Sequence, residues 1–99
     1  MLKNFSNEVF PVSGVVKLFP LKAGWYYLTV PKEYTQITKD LAVRGLVAIT
    51  ATCGNSSWNT SLLPLGNGTQ FIALPAKVRS AENITHGNKI SLSFILRER

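Results

Sequence analysis

Cysteine and histidine are nearly absent from this 99-residue chain: Cys53 and His86 stand alone, so no internal disulfide and no metal site built from several of these residues can form. Carboxylates are scarce as well. Only Glu8, Glu33, Asp40, Glu82 and Glu98 are present, with none between Asp40 and Glu82. General acid and base chemistry needs two converging groups with separated pKa values, and this spacing supplies no such pair. Phosphate-loop, dinucleotide and zinc-protease patterns are missing too. The longest apolar stretches, such as residues 41–43 and 46–49, fall far short of the ~20 residues of a membrane helix. The first residues, Met1 to Glu8, turn polar before an apolar stretch of signal-peptide length develops. The expectation is a cytoplasmic protein without membrane contact and without a cofactor. Sequons starting at Asn4, Asn55, Asn59, Asn67 and Asn83 are expected to be accidents of an Asn-, Ser- and Thr-rich chain.

What is present is the composition of a single globular domain spanning 1–99, 45% hydrophobic, with 11 basic residues giving a net charge of +6. The sequence also repeats. Residues 16–31 align without gaps on residues 60–75 at a constant offset of 44. Leu18, Pro20, Leu21, Gly24 and Pro31 meet identical residues at Leu62, Pro64, Leu65, Gly68 and Pro75, and Tyr27, Leu28 and Val30 meet Phe71, Ile72 and Leu74.

Each copy reads alike. A strand ends at Pro20 or Pro64, because proline cannot donate into a ladder, and a turn closes on Gly24 or Gly68. A second strand, 25–30 or 69–74, runs into a proline suited to the first position of a helix. After Pro31, the apolar positions Tyr34, Ile37 and Leu41 lie three and four apart and predict a short amphipathic helix. Val78 and Ala81 predict a weaker one after Pro75. Closing strands follow at 45–53 and 89–96, the latter alternating Ile90, Leu92, Phe94 and Leu96 with polar residues. The unit is strand-strand-helix-strand, used roughly over 9–53 and 55–96. The fold class expected is mainly β, a small closed six-stranded barrel of two pseudo-symmetric units with two short helices. Closure removes the edges that two half-sheets would leave. An open antiparallel sheet with both helices on one face is the alternative.

Gly24-Trp25-Tyr26-Tyr27-Leu28-Thr29-Val30-Pro31, then Trp58-Asn59-Thr60-Ser61-Leu62-Leu63-Pro64, Gly68, Val78-Arg79-Ser80-Ala81 and Gly87-Asn88 resemble the bacterial family called domain of unknown function 1905, over roughly 8–97. The resemblance implies a fold similar to the double-split β-barrel of AbrB- and MazE-type regulators, with both halves in one chain. It implies no established activity. Where the family commonly has an Asp after the late glycine this chain has Asn88, which preserves a turn role but not a carboxylate.

Three functional classes remain to be weighed. An enzyme is not expected: His86 lies in a turn, and Cys53 ends a strand where a small apolar residue would serve as well. A nucleic-acid binder would use Lys77, Arg79 and Lys89, but the basic residues look scattered along the sequence, and Arg97 and Arg99 fall in a loose tail. A binding or interaction module is the favoured reading, for a small ligand or a protein partner. If Leu28 and Val30 point inward, alternation turns Trp25, Tyr27 and Thr29 outward, beside Thr69, Phe71 and Ala73. Trp25, Tyr27, Trp58 and Arg79 are the candidate site residues, with Trp58 opening a strand and Arg79 near a barrel mouth. For Arg79 the competing role is structural, capping loop or strand-end carbonyls.

Overall fold

The computed structural model describes residues 8–19 and 24–97. Strand β1 (Phe10–Val15) alternates as a half-buried strand should, with Phe10 and Val12 inward and Pro11, Ser13 and Val15 outward. At Gly14 the inner face is tight, since an added Cβ would stand 3.3 Å from Leu28 Cδ1, which would have to give by a few tenths of an ångström. The chain then bends at buried Val16, whose N–H donates to the Asn88 carbonyl (2.8 Å) and whose carbonyl accepts from Gly87 N–H (2.8 Å). Beyond the bend, β2 (Lys17–Leu18) leaves β7 (Lys89–Leu96) and pairs instead with β3 (Tyr26–Val30).

The remaining strands are β4 (Val47–Cys53), β5 (Ser56–Pro64) and β6 (Gln70–Ala73), and the hydrogen-bonded order is β1-β7-β4-β5-β6-β3-β2. Because β1 and β2 are one stretch of chain bent at Val16, the two ends of this order are joined covalently and the sheet forms a nearly closed barrel. Seven strands replace the six expected, and the extra one is this interruption. β5 divides its pairing in the same way without breaking: Ser56 to Leu62 lie on β4, while Leu63 and Pro64 lie on β6.

The β3–β6 ladder sets Leu28 opposite Ile72, with Tyr27 opposite Ala73 and Thr29 opposite Phe71. Leu28 and Ile72 are the residues that the 44-residue offset matches. β3 and β6 are each a little shorter than expected, because Trp25 gives its carbonyl to Phe19 N–H and Thr69 gives its own to Leu65 N–H, closing turns rather than extending the ladder. β4 starts later than expected, because Val43 and Leu46 bond each other across Arg44 and Gly45, both at positive φ. Inward residues are odd-numbered in β4 (Val47, Ile49, Ala51, Cys53) and even-numbered in β7 (Leu92, Phe94, Leu96), so the even offset does not carry into the closing strands. Arg97, expected in a loose tail, is tied down: Nε donates to Ile49 O (2.8 Å) and Nη2 to Thr60 O (3.0 Å).

Helix α1 (Lys32–Thr38) runs on into a 3₁₀ turn (Lys39–Leu41), and α2 (Ala76–Glu82) stops at Asn83 in the left-handed conformation. Pro31 and Pro75 sit just before the helices as caps rather than at the first helical position. The expected stripe of Tyr34, Ile37 and Leu41 is not the face that packs. Tyr34 and the fully buried Thr38 look inward, while Ile37 is 47% exposed and Leu41 36%. The reason lies at Tyr34, whose ring edges against Phe10 and Phe94 and whose hydroxyl donates to Pro11 O (2.7 Å), rotating the helix onto its 34–38 edge.

β3 runs from Tyr26, which contacts α2 through Arg79, to Val30 just before α1; β6 runs from Gln70, which contacts α1 through Thr35, to Ala73 just before α2. The helices therefore lie over opposite ends of the barrel. Between them the core is built from Phe94, Leu28, Ile49, Leu62, Ile72 and the valines around them, all fully buried. Leu28→Ala, at the centre of the ladder, is expected to cost about 2–5 kcal/mol by lost burial and a residual cavity. Chemical denaturation at equilibrium measures this; a loss below about 1 kcal/mol would mean that the ladder is not central to the core.

Candidate functional site

The two barrel ends are built from matched positions filled with different chemistry. The offset that aligns the repeat pairs Gln70 with Tyr26, and Thr35 with Arg79. At the α1 end the contact is neutral: Thr35 Oγ1 donates to buried Gln70 Oε1 (3.1 Å), and Thr38 donates to Tyr34 O (2.9 Å) with its oxygen 3.5 Å from the same amide. At the α2 end the matched contact is cationic and aromatic. The Arg79 guanidinium carbon lies 3.9 Å above the centre of the Tyr26 ring, and Arg79 Nε donates to Leu74 O (3.0 Å). Both are half-buried. The Leu74 bond realises the carbonyl-capping role weighed for Arg79.

His86 stands beside the other edge of this pair, its ring 6.4 Å from that of Tyr26. The turn that carries it is fixed by Asn88, whose Oδ1 accepts from Thr85 N–H (3.0 Å) and the Thr85 hydroxyl (2.9 Å), so the turn role expected for Asn88 holds without a carboxylate. Lys17, Lys77 and Lys89, all exposed, sit on the elements that meet here. Lys17 follows the Val16 bend bonded to Gly87 and Asn88, Lys89 opens β7 next to that bend, and Lys77 precedes Arg79 on α2. Among the described residues, the elements that meet at this end carry Lys17, Lys77, Arg79 and Lys89, and one carboxylate, Glu82. Among the described residues, the α1 end has Lys32, Lys39, Arg44 and Arg97 against three carboxylates, Glu8, Glu33 and Asp40.

Glu82 is engaged by the β4–β5 hairpin. Its Oε2 accepts from Asn55 N–H (3.2 Å) and from the Ser56 hydroxyl (2.7 Å), latching α2 to the β4–β5 hairpin. Gly54 makes the latch achievable: its φ is +59°, and an added Cβ would fall 2.1 Å from Glu82 Oε1. Beneath the latch, buried Cys53 points its thiol at Ser91 O (3.6 Å), not at His86. Burial first, and the nearby Glu82 carboxylate second, push this thiol above its ordinary value of 9.0. Among the described residues no three His, Cys, Asp or Glu side chains converge as a metal site requires.

The other candidates divide. Trp58 does not open its strand; β5 begins at Ser56, and alternation with buried Leu62 turns the Trp58 ring inward against the core, where its Nε1–H is buried without a hydrogen-bond partner. Tyr27 does face outward, but it stacks on Phe19 (ring centres 4.1 Å apart) and meets Phe71 edge-on, so these rings cover one another and Phe71 is only 7% exposed. Trp25, next to Tyr26, remains 49% exposed. Arg79, Lys77 and Lys89 are brought to one end with Trp25 at its margin, Tyr27 belongs to the neighbouring outer face, and Trp58 lies within the barrel. Tyr26 and Glu82 were missed. Tyr26 was legible in principle from its match to a glutamine across the repeat, whereas Glu82 gives no local signal because its partners lie on a distant hairpin.

Two measurements check this geometry. Arg79→Ala removes a stacked cation and a carbonyl bond, together about 1–3 kcal/mol, so Tm should fall by roughly 5 °C or more for a domain of this size. Trp25→Ala should leave stability within about 0.5 kcal/mol; the reverse ranking would show that Trp25 is the structural residue. The second concerns Cys53. A thiol pKa raised by folding contributes stability below the ordinary value of 9.0, lost as pH climbs through the raised folded value. The Tm of the native protein should therefore decline relative to Cys53→Ala above 9.0 and run parallel to it at neutral pH. Parallel curves throughout would mean the thiol is not desolvated.

Among the described residues no helix is long and apolar enough to cross a membrane. No curated protein matches the chain. The sequence model of one family does, over residues 8–94, nearly the whole barrel from ahead of β1 to the inward Phe94 of β7. The chain therefore belongs to the family described as domain of unknown function DUF1905.

Proposed function

We propose that this protein is a non-catalytic binding module that receives a negatively charged partner at the α2 end of its barrel. The observation that supports this most is the unequal filling of matched positions: Thr35 on Gln70 closes one end with neutral hydrogen bonds, and Arg79 on Tyr26 gives the other a partly exposed cation on an aromatic face. A fold that needed only to cap its ends could use the neutral pair twice. Arg79 over a ring is pre-organised to meet an anion with its free nitrogens, and Lys17, Lys77 and Lys89 add a field that attracts one from a distance.

The non-catalytic part of the reading rests on the chemistry of the reactive side chains. Cys53 is kept protonated and directed at a carbonyl, and Glu82 is engaged by the hairpin. A cytoplasmic setting is part of the same proposal. A second reading, nucleic-acid binding, is favoured by one specific observation: Lys77, Arg79 and Lys89 lie at the same end.

Retention on a sulfated heparin column separates the ends. K77E/K89E and K32E/K39E change net charge equally, so the first should elute at clearly lower salt than the second if the α2 end faces anions. Equal shifts would overturn the proposal. Titration of duplex DNA or RNA against salt then tests the second reading: the slope of log affinity on log salt should fall by about one for each lysine removed from the α2 end, and absence of binding at low salt removes it.

A further inference from the structure

We infer that Asn67 is a self-modification site, whose side-chain amide is converted to a carboxyl through attack by the Gly68 backbone nitrogen. The turn between β5 and β6 supplies both reacting groups. The nucleophile must be unencumbered, and Asn67 is the one asparagine of the chain that a glycine follows. Both residues are exposed. Gly68 lies at φ +88°, and nothing beyond its chain neighbours stands within 4 Å of an added Cβ, which leaves room for a ring to close and for water to reach it. Among the described residues no group accepts a hydrogen bond from Gly68 N–H. Thr69 prepares the electrophile. Its N–H donates to Asn67 Oδ1 (3.1 Å), and its hydroxyl donates to the same oxygen. Both bonds polarise the side-chain carbonyl and point at the atom on which negative charge develops when nitrogen adds to Cγ.

Gly68 N gives its proton to solvent hydroxide and bonds to Asn67 Cγ, placing negative charge on Oδ1. Collapse of this adduct breaks the Cγ–Nδ2 bond, and Nδ2 takes a proton from water and leaves as ammonia. Water then opens the cyclic imide. Cleavage of the new N–Cγ bond leaves an aspartate in an ordinary main chain, and cleavage at the main-chain carbonyl leaves an isoaspartyl linkage. The net change is one water in and one ammonia out, with no oxidation or reduction. Either product adds a negative charge to the turn that leads into Gln70, beside α1. Asn88 isolates the contribution of the glycine. Its Oδ1 accepts the same two donors from Thr85, yet Lys89 follows it and opens β7 opposite Val15. A Cβ and a strand ladder both oppose ring closure there. The reaction at Asn67 is independent of what the α2 end binds.

Incubation of the full chain in mildly alkaline buffer, followed by peptide mass mapping, tests this. Asn67 should convert to aspartyl and isoaspartyl forms while Asn88 stays an amide. Thr69→Val should slow conversion about threefold or more, less than a buried oxyanion donor is worth because this turn is exposed. Thr69→Ser, which keeps the hydroxyl, should convert at the native rate. In denaturant the native and Thr69→Val sequences should convert equally, since the donors are then no longer aimed at Oδ1. An Asn67 amide that persists in the folded chain while the denatured chain converts would overturn the inference. So would equal conversion of Asn88, a native rate in Thr69→Val, a Thr69→Ser rate as low as that of Thr69→Val, or a difference between the sequences that survives denaturation.

Discussion

The contact on which the molecule depends is the antiparallel register of β3 and β6, with Leu28 against Ile72. It fixes more than two strands. Because β3 leads into α1 and β6 into α2, antiparallel pairing sends the two helices to opposite ends of the barrel. Because the first residue of each strand lies beside the end of the other, Tyr26 is placed under α2 and Gln70 under α1. A slip of one residue would turn Leu28 and Ile72 out and Tyr27 and Phe71 in, exchanging aliphatic core for rings that now cover one another outside. The register is therefore held by the difference between a core made of Leu28, Val30 and Ile72 and an outer cluster made of Phe19, Tyr27 and Phe71.

Closure of the barrel follows from how the first strand is used. A single straight strand between β7 and β3 would have to satisfy both neighbours along its whole length. Here the work is divided at Val16, with six residues bonded to β7 before the bend and two to β3 after it. The bend is stable because the loop before β7 supplies both hydrogen bonds of Val16, through Gly87 and Asn88. The same loop carries His86 to Tyr26. The device that closes the barrel thus also assembles part of the α2 end, which explains why the Thr85–Asn88 turn is locked by a side-chain amide rather than left to solvent.

The fold was legible in the sequence to the extent that punctuation repeats. Pro64, Gly24 and Gly68, and Pro31 and Pro75 marked the ends of elements, and the aliphatic pattern between them marked the inward face of β3 and β6, while Pro20 lies outside the described residues. What stayed hidden was whatever depends on a partner distant in the chain. The inward edge of α1 is set by Phe10, Pro11 and Phe94, so periodicity found a helix but chose the wrong face. Trp58 gave every sign of an exposed recognition residue, yet its parity with Leu62 along β5 turns it inward. The basic residues are a further case: Lys17 lies far along the chain from Lys77 and Lys89, and the β1 bend, bonded through Val16 to Gly87 and Asn88, brings its element to the start of β7.

The net charge of +6 takes on a different meaning once it is distributed. Among the described residues, the α1 end carries three carboxylates against four cations, one of which, Arg97, is held on the Ile49 and Thr60 carbonyls, whereas the α2 end carries one carboxylate against four. A chain whose basic residues served solubility alone has no reason to segregate them along the barrel axis, since solubility depends on net charge and the absence of patches rather than on position. Thr35 and Gln70 show that the end contact can be made neutrally at this backbone geometry. Placing Arg79 over Tyr26 leaves a half-buried guanidinium on a helix whose Lys77 is exposed, so this end presents positive charge where the matched contact at the other end presents none.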